Sequence, residues 1–178
     1  MAVDVWLGLG SNQGDRESFL NFGLEKLSRI GDIRFLSSLY ETEPWGEVNQ
    51  PYFLNAVCQL STGLEDPLDF LDTLKEIEGA AGRQSGEGRW GPRPLDIDVL
   101  FWGRLVLDSD GLTVPHPRMA QRRFVLEPLA EVAPDLRHPV TNLSIREMLQ
   151  RCSDPKGVRR YGTFAVKGQM LERMRDKT

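Results

Sequence analysis

Cysteine is scarce: Cys58 and Cys152 are the two among 178 residues, too few for the disulfide framework that holds small secreted domains together. The expectation is a chain with reduced thiols in the cytoplasm. Zinc is disfavoured as well. Cys58, His116, His138 and Cys152 are scattered singletons, whereas a structural zinc site shows at least one closely spaced pair. Long apolar runs are missing, and no stretch approaches the ~20 residues of a membrane span. The start Met1-Ala2-Val3-Asp4 lacks the basic and then apolar character of a secretory leader. Positive charge is not in surplus either: 22 Lys+Arg against 26 Asp+Glu give a net charge of −4. That balance argues against duplex DNA, whose binding needs many cations to displace counterions. A small anion held by a few arginines remains open. Gly8-Leu9-Gly10 is not a dinucleotide fingerprint, because Gln13 stands where the third glycine is required. No Walker A motif is present, so Gly8 and Gly10 are read as allowing close backbone approach at a strand end.

What is present reads as one α+β domain. Val3 to Leu9 alternates as a strand, and Gly10 to Asp15 turns into a helix capped by Asn12 or Asp15. Leu20, Leu24 and Leu27 form its apolar stripe. Ile33 to Tyr40 and Phe53 to Leu60 read as strands flanking a long Pro- and Gly-containing loop over 43–51, a length that points to function. Asp66-Pro67 opens a second helix with Leu68, Leu71, Leu74 and Ile77 inward. A Gly-rich basic loop over 83–94 precedes a strand from Leu95 to Trp102, then Leu105 to Leu107. Helices are expected over roughly 118–131, broken at Pro128, and over 144–150. The βαββαβ order predicts an α/β sandwich on a mostly antiparallel sheet. Residues 1–150 are expected to form one domain and 151–178 a partly ordered C-terminal tail.

The sharpest signal is Asp96-Ile97-Asp98 within a strand. Alternation puts both carboxylates on one face with Cα atoms about 6.5–7 Å apart, close enough to converge on one hard cation or bridge two. Repulsion makes such a pair costly without a cation. Upstream, Arg83, Arg89 and Arg93 place guanidiniums beside it. Metal and arginine forks together are what a polyphosphate requires. His116, held between Pro115 and Pro117, is either a fixed functional imidazole or a turn histidine. Trp45, Phe53, Phe124 and Asn55 would suit a flat heterocycle stacked and read at its edge, although pattern alone favours core for the two phenylalanines.

Several runs share one resemblance. Gly10-Ser11-Asn12, Tyr40-Glu41-Thr42, Gln50-Pro51, Leu54-Asn55, Gly82-Arg83, Arg89-Trp90-Gly91-Pro92-Arg93 and Leu95-Asp96-Ile97-Asp98 resemble the 6-hydroxymethyl-7,8-dihydropterin pyrophosphokinases. Pro115-His116-Pro117-Arg118-Met119 and Arg122-Arg123-Phe124 do so too, in the family's order over residues 3 to 150. The resemblance implies a ferredoxin-like fold. It also implies transfer of the β,γ-diphosphate of ATP to the pterin hydroxymethyl group, releasing AMP, in folate biosynthesis. It casts Asp96 and Asp98 as ligands of two Mg²⁺, with Asp96 also near the pterin. Arg83 and Arg93 become phosphate clamps, with Arg89 and Trp90 in the same lid. Thr42, Trp45, Phe53, Asn55, Trp90 and Phe124 fall in the pterin pocket; Glu78, Val99, Thr113, His116 and Arg122 fall on the ATP side. Ser85-Gly86-Glu87-Gly88 would form a closing lid, where many members carry more basic residues. Partners are then small molecules, with no nucleic acid or membrane, and a monomer or weak oligomer.

Two other readings fit parts of the sequence. A DxD-type glycosyltransferase would also pair carboxylates on a cation, but the doubly wound βαβ array for a nucleotide-sugar is missing. A ferredoxin-like binder of single-stranded nucleic acid would use aromatics and arginines on its sheet. The acidic net charge and the Asp pair oppose it.

Overall fold

A computed structural model describes residues 1–44, 49–82 and 93–165. The chain runs β1 (Val3–Ser11), α1 (Arg16–Leu27), β2 (Gly31–Leu36), β3 (Leu39–Thr42), β4 (Phe53–Thr62), α2 (Pro67–Ala80), β5 (Asp96–Trp102), β6 (Leu107–Ser109), β7 (Leu112–Val114), a 3₁₀ turn (Met119–Gln121), α3 (Arg123–Val132), α4 (Ile145–Arg151) and β8 (Val158–Gly162). Six strands form one sheet in the order β5-β1-β4-β3-β8, with β2 also pairing β4. Every pairing within it is antiparallel. The β1-α1-β4-α2-β5 portion, with β2 and β3 beside β4, has the strand order expected of a ferredoxin-like sandwich.

Local chemistry accounts for the element starts. Asp15 caps α1, accepting from the Ser18 amide. Asp66 caps α2 with Pro67 as its first residue, where the missing N–H costs nothing. Ser144 and Glu147 close a capping box on α4. Gly31, where β2 begins, lies so close to β4 that a Cβ would stand 2.6 Å from the Ser61 carbonyl oxygen.

Alternation along β1 divides the interior in two. Val5, Leu7 and Leu9 face Leu20, Leu24 and Leu27 of α1 and Phe70, Leu74 and Ile77 of α2. Trp6 faces the other way, joining Val57, Leu100 and the buried residues of α3 and α4. Burying each such Leu or Phe side chain contributes roughly 1.5–3 kcal/mol, so both faces of the sheet are anchored.

Four expectations are adjusted. The strand expected over Ile33 to Tyr40 is two strands, because the chain steps at Ser37-Ser38, where the Ser37 amide donates to the Val57 carbonyl. Pro128 sits inside α3 without ending it. The helix expected from Arg118 is instead a 3₁₀ turn and α3, separated at Arg122. Finally, the segment after Arg151 contributes β8, with Val158 opposite Thr42 and Arg159 opposite Glu41. Its few apolar residues hid this, since a strand added at an edge needs main-chain partners more than a buried side-chain face. Cys58 and Cys152 are free and buried, and burial pushes the Cys58 thiol up to about 12. No helix among the described residues is long and apolar enough to cross a membrane.

Candidate functional site

A cavity of about 370 Å³ opens on the α3 side of the sheet. Its floor follows from the pairing register. Gly8 of β1 lies opposite Asp98 on β5 and Val57 on β4; Gly10 lies opposite Asp96 and Asn55. Opposed residues of antiparallel strands share a face. The two glycines therefore leave a bare strip of backbone between the acidic pair and the Asn55 carboxamide. A Cβ on Gly10 would stand 3.0 Å from Asn55 Oδ1 and begin to close that strip. Sequence reasoning assigned these glycines a close-approach role but not this floor, because the register that aligns them with both neighbours is a property of the assembled sheet.

Asp96 and Asp98 do project to one face and line the cavity, while Ile97 and Val99 are buried in the core. The carboxylates meet guanidiniums: Arg93 Nη1 lies 2.7 Å from Asp96 Oδ1, and Arg122 Nη1 lies 3.5 Å from Asp98 Oδ2. Asp98 is 38 % exposed at its side chain, yet its carboxylate sits in a cleft where protein displaces much of the water. Burial, and then the charge of Asp96, lift its affinity for a proton, opposed by Arg122, Arg93 and Arg118. Two carboxylates held together against repulsion form a donor set for a hard divalent cation. Among the described residues no group of three or more acidic, histidine or cysteine side chains is assembled. Mg²⁺ commonly takes one or two carboxylates and completes its shell with water and phosphate oxygens.

Arg93 is placed by its main chain. Its amide donates to Asn12 Oδ1 at 2.7 Å, and its carbonyl accepts from the Asn12 amide at 3.1 Å. The buried Asn12 side chain also donates to Gln50 Oε1 and to the Pro51 carbonyl. One asparagine thus ties the end of the first long loop to the end of the second. The same cavity also carries an amide and aromatics. Asn55 Nδ2 donates to Thr42 Oγ1 at 2.7 Å, with Phe53 and Phe124 beside them in the lining. The Arg122 guanidinium carbon lies 5.6 Å from the Phe124 ring centroid. Both rings are half-buried and line the cavity; Phe124 also packs against the second core, so the core placement favoured by pattern holds for it in part.

His116 lines the cavity with Arg118. Its Nδ1 accepts from the Arg118 amide at 3.2 Å, which leaves Nε2 as the protonated, donating nitrogen of the neutral ring. Burial, then the charges of Arg122 and Arg118, push the imidazole down to about 4 from its ordinary 6.5. The free protein is therefore expected to show no His116 titration by NMR between pH 8 and pH 5.5. The sign follows: the unfolded chain takes up this proton more readily, so stability falls as pH drops from about 6.5 towards 4. A His116 midpoint near 6.5 would contradict the burial.

Three residues placed on the nucleotide side by resemblance do not line the cavity formed by the described residues. Glu78 is buried, and its Oε1 accepts from the Ile97 amide at 2.7 Å. That satisfies an outward N–H of edge strand β5 between the two aspartates, so Glu78 holds the strand that carries them. Val99 has its side chain in the core. Thr113 lies on the β6–β7 hairpin, where its hydroxyl donates to Asp108. Arg118, by contrast, was quoted only within a motif and faces the cavity; the Pro-His-Pro-Arg run was the available signal. Trp45, Arg83, Arg89 and Trp90 lie outside the described residues.

The comparisons agree with this geometry. The family model for 7,8-dihydro-6-hydroxymethylpterin-pyrophosphokinase (HPPK) matches residues 6–134. A 2-amino-4-hydroxy-6-hydroxymethyldihydropteridine pyrophosphokinase of Pseudomonas aeruginosa is 43% identical over 154 residues, spanning 85% of this chain and 93% of that protein. The folic acid synthesis protein fol1 of Pneumocystis carinii is 43% identical over 152 residues, spanning 84% of this chain. There the chain spans only 20% of the relative's length. Among solved structures, wild-type HPPK-DHPS of Plasmodium falciparum shares the fold, with TM-score 0.69 at 19% identity, over 85% of this chain and 45% of that one. The family match takes in both the acidic strand and the opposing cavity wall, and the chain belongs to the 7,8-dihydro-6-hydroxymethylpterin-pyrophosphokinase family.

Proposed function

We propose that this chain transfers the diphosphate of ATP to 6-hydroxymethyl-7,8-dihydropterin, giving the pterin diphosphate and AMP, as a step of folate biosynthesis in the cytoplasm. The observation that carries the reading is one cavity whose lining combines two kinds of chemistry. Asp96, Asp98, Arg93, Arg118 and Arg122 are its charged groups; Thr42, Asn55, Phe53 and Phe124 are its flat and amide-bearing groups.

In the reaction, the pterin hydroxyl oxygen bonds to the β-phosphorus as the bond from that phosphorus to the α-bridging oxygen breaks. AMP leaves and the hydroxyl proton passes to solvent. The Phe53 and Phe124 faces and the Asn55 carboxamide hold the heterocycle so that its hydroxymethyl arm points along the glycine floor. Arg93 and Arg122, joined by Arg83, neutralise the transferring group and the leaving phosphate. His116 Nε2–H is a neutral donor to the nucleotide. Asp96 and Asp98 would hold Mg²⁺, which when bound draws charge from the phosphate oxygens. By the family resemblance Trp45 and Trp90 are assigned to the pterin, and Arg89 and Trp90 to ATP.

The test is the nucleotide product. Pure protein with ATP, Mg²⁺ and hydroxymethyldihydropterin is expected to release AMP, and none when pterin or Mg²⁺ is withheld. ADP as the product, or no nucleotide turnover by folded protein, would overturn the reading. A glycosyltransferase would instead release a nucleoside diphosphate from a nucleotide-sugar.

A further inference from the structure

The segment following α4 reaches both walls of the cavity. Asp154 is buried although it is a carboxylate, and both of its oxygens have partners. Oδ2 accepts from the Arg123 amide and Oδ1 from the Lys156 amide, each at 3.0 Å. Arg123 returns the contact, donating from Nε to the Asp154 carbonyl and from Nη2 to the Cys152 carbonyl. Arg123 is the first residue of α3, and the residue at the cap position, Arg122, makes no side-chain cap bond. Asp154 therefore supplies, from a different part of the chain, the acceptor and the negative charge that a helix start requires. The neighbours of Arg123 on either side, Arg122 and Phe124, are both in the cavity wall.

Two residues later the same segment grips the other wall. Lys156 Nζ donates to the Pro44 carbonyl at 2.7 Å. Val158 then pairs with Thr42, the residue whose hydroxyl accepts from Asn55. Arg159 pairs with Glu41 and binds its carboxylate, which Arg16 of α1 holds from the other side at 2.9 Å. Without these contacts β3 would be a short edge strand and the first turn of α3 would lack its acceptor. A flat ring bound between two walls gains most when their separation is fixed beforehand, since ordering them on binding subtracts from affinity.

We propose that residues 154–159 act as a clasp that fixes the spacing between the Thr42–Asn55 wall and the Phe124 wall, making Asp154 and Lys156 positioning residues for the bound pterin. This inference rests on the pterin reading of the cavity. Arg122 has a separate anchor in Asp98, so the phosphate-binding groups are affected less than the pterin contacts.

The test varies pterin and MgATP separately on the full chain. Asp154→Ala and Lys156→Met are each expected to raise the pterin KM about five- to tenfold, as for loss of one capping or charge-assisted hydrogen bond. The MgATP KM and the kcat at saturation should stay within about twofold, because the clasp touches neither phosphate nor reacting atoms. Asp154→Asn keeps an acceptor for the Arg123 amide and is expected to restore most of the affinity. Circular dichroism and melting curves give the folded fraction of each variant. An unchanged pterin KM in both variants, or a loss of rate that only follows the folded fraction, overturns the clasp. A wild-type chain that releases no AMP overturns the functional reading instead. Equilibrium pterin binding by fluorescence then decides the clasp, with variants that bind as tightly as wild type overturning it.

Discussion

Asp98→Asn is expected to lower kcat for AMP formation by about 10²–10³-fold or more, while in EDTA the variant melts no lower than wild type. The two halves of this result share one cause. Asp98 faces the cavity on the same side of β5 as Asp96, and folding holds the pair together against repulsion that only a cation relieves. Burial raises the proton affinity of Asp98, so the fold disfavours its charged form at neutral pH. Removing that charge removes a cost. The lost contact with Arg122 is long, at 3.5 Å, and a partly exposed pair of that kind is worth little. In the presence of Mg²⁺ the order should invert, because the wild type alone gains the stabilisation that comes with ligand binding. Melting curves with and without Mg²⁺, beside initial rates, check both parts. Full activity in Asp98→Asn, or a variant that fails to fold, would sink the metal-ligand assignment.

The second large effect is expected at Arg93. Arg93→Ala should reduce kcat by about 10²–10³-fold with a smaller change in KM, the pattern of a group that acts on charge developing in the transition state. The backbone should stay in place, since its anchors are the amide and carbonyl bonds to Asn12 and not the side chain. The guanidinium lies 2.7 Å from Asp96, and in the resting site it offsets part of the acidic charge. Its removal leaves two carboxylates with less compensation, so apparent Mg²⁺ affinity should rise even as turnover falls. Arg93→Lys keeps charge but loses the two-pronged geometry, and only partial recovery is expected. Steady-state rates over a Mg²⁺ titration separate these effects. Arg93→Ala with wild-type kcat would remove Arg93 from the phosphate clamp.

Much of the site could be read from residues alone because its chemistry is local. Asp96 and Asp98 lie two positions apart in a strand, so their shared face follows from period-two alternation. Asp66 announced a helix start because a cap acts within its own first turn; for α1 the sequence left Asn12 and Asp15 open, and the bond from the Ser18 amide decides for Asp15. The α1 stripe was legible in its 3.6-residue spacing, whereas on α2 Leu74 and Ile77 are buried as expected but Leu68 is exposed and Phe70 takes its place in the core. Other features depend on residues far apart in sequence. Glu78 sits on α2, and nothing near it discloses that its carboxylate meets the Ile97 amide. Asn12 joins Gln50, Pro51 and Arg93, a convergence that exists only once β1 lies between β4 and β5.

The acidic strand, the α2 cap, the antiparallel α+β architecture and, through its motifs, the family can all be read from residue order. Each of those is encoded in spacing over a few residues or in a contiguous run. Assembly of the domain was needed to show that Gly8 and Gly10 form the cavity floor and that Arg118 faces it. Assembly likewise brings Glu78 against the Ile97 amide, where it supports β5, and makes a strand of Val158–Gly162 that pairs with Leu39–Thr42. The physical reason is common to all four. Register across a sheet and hydrogen bonds between distant segments are set by which strands lie side by side, and no local pattern of side chains records that choice.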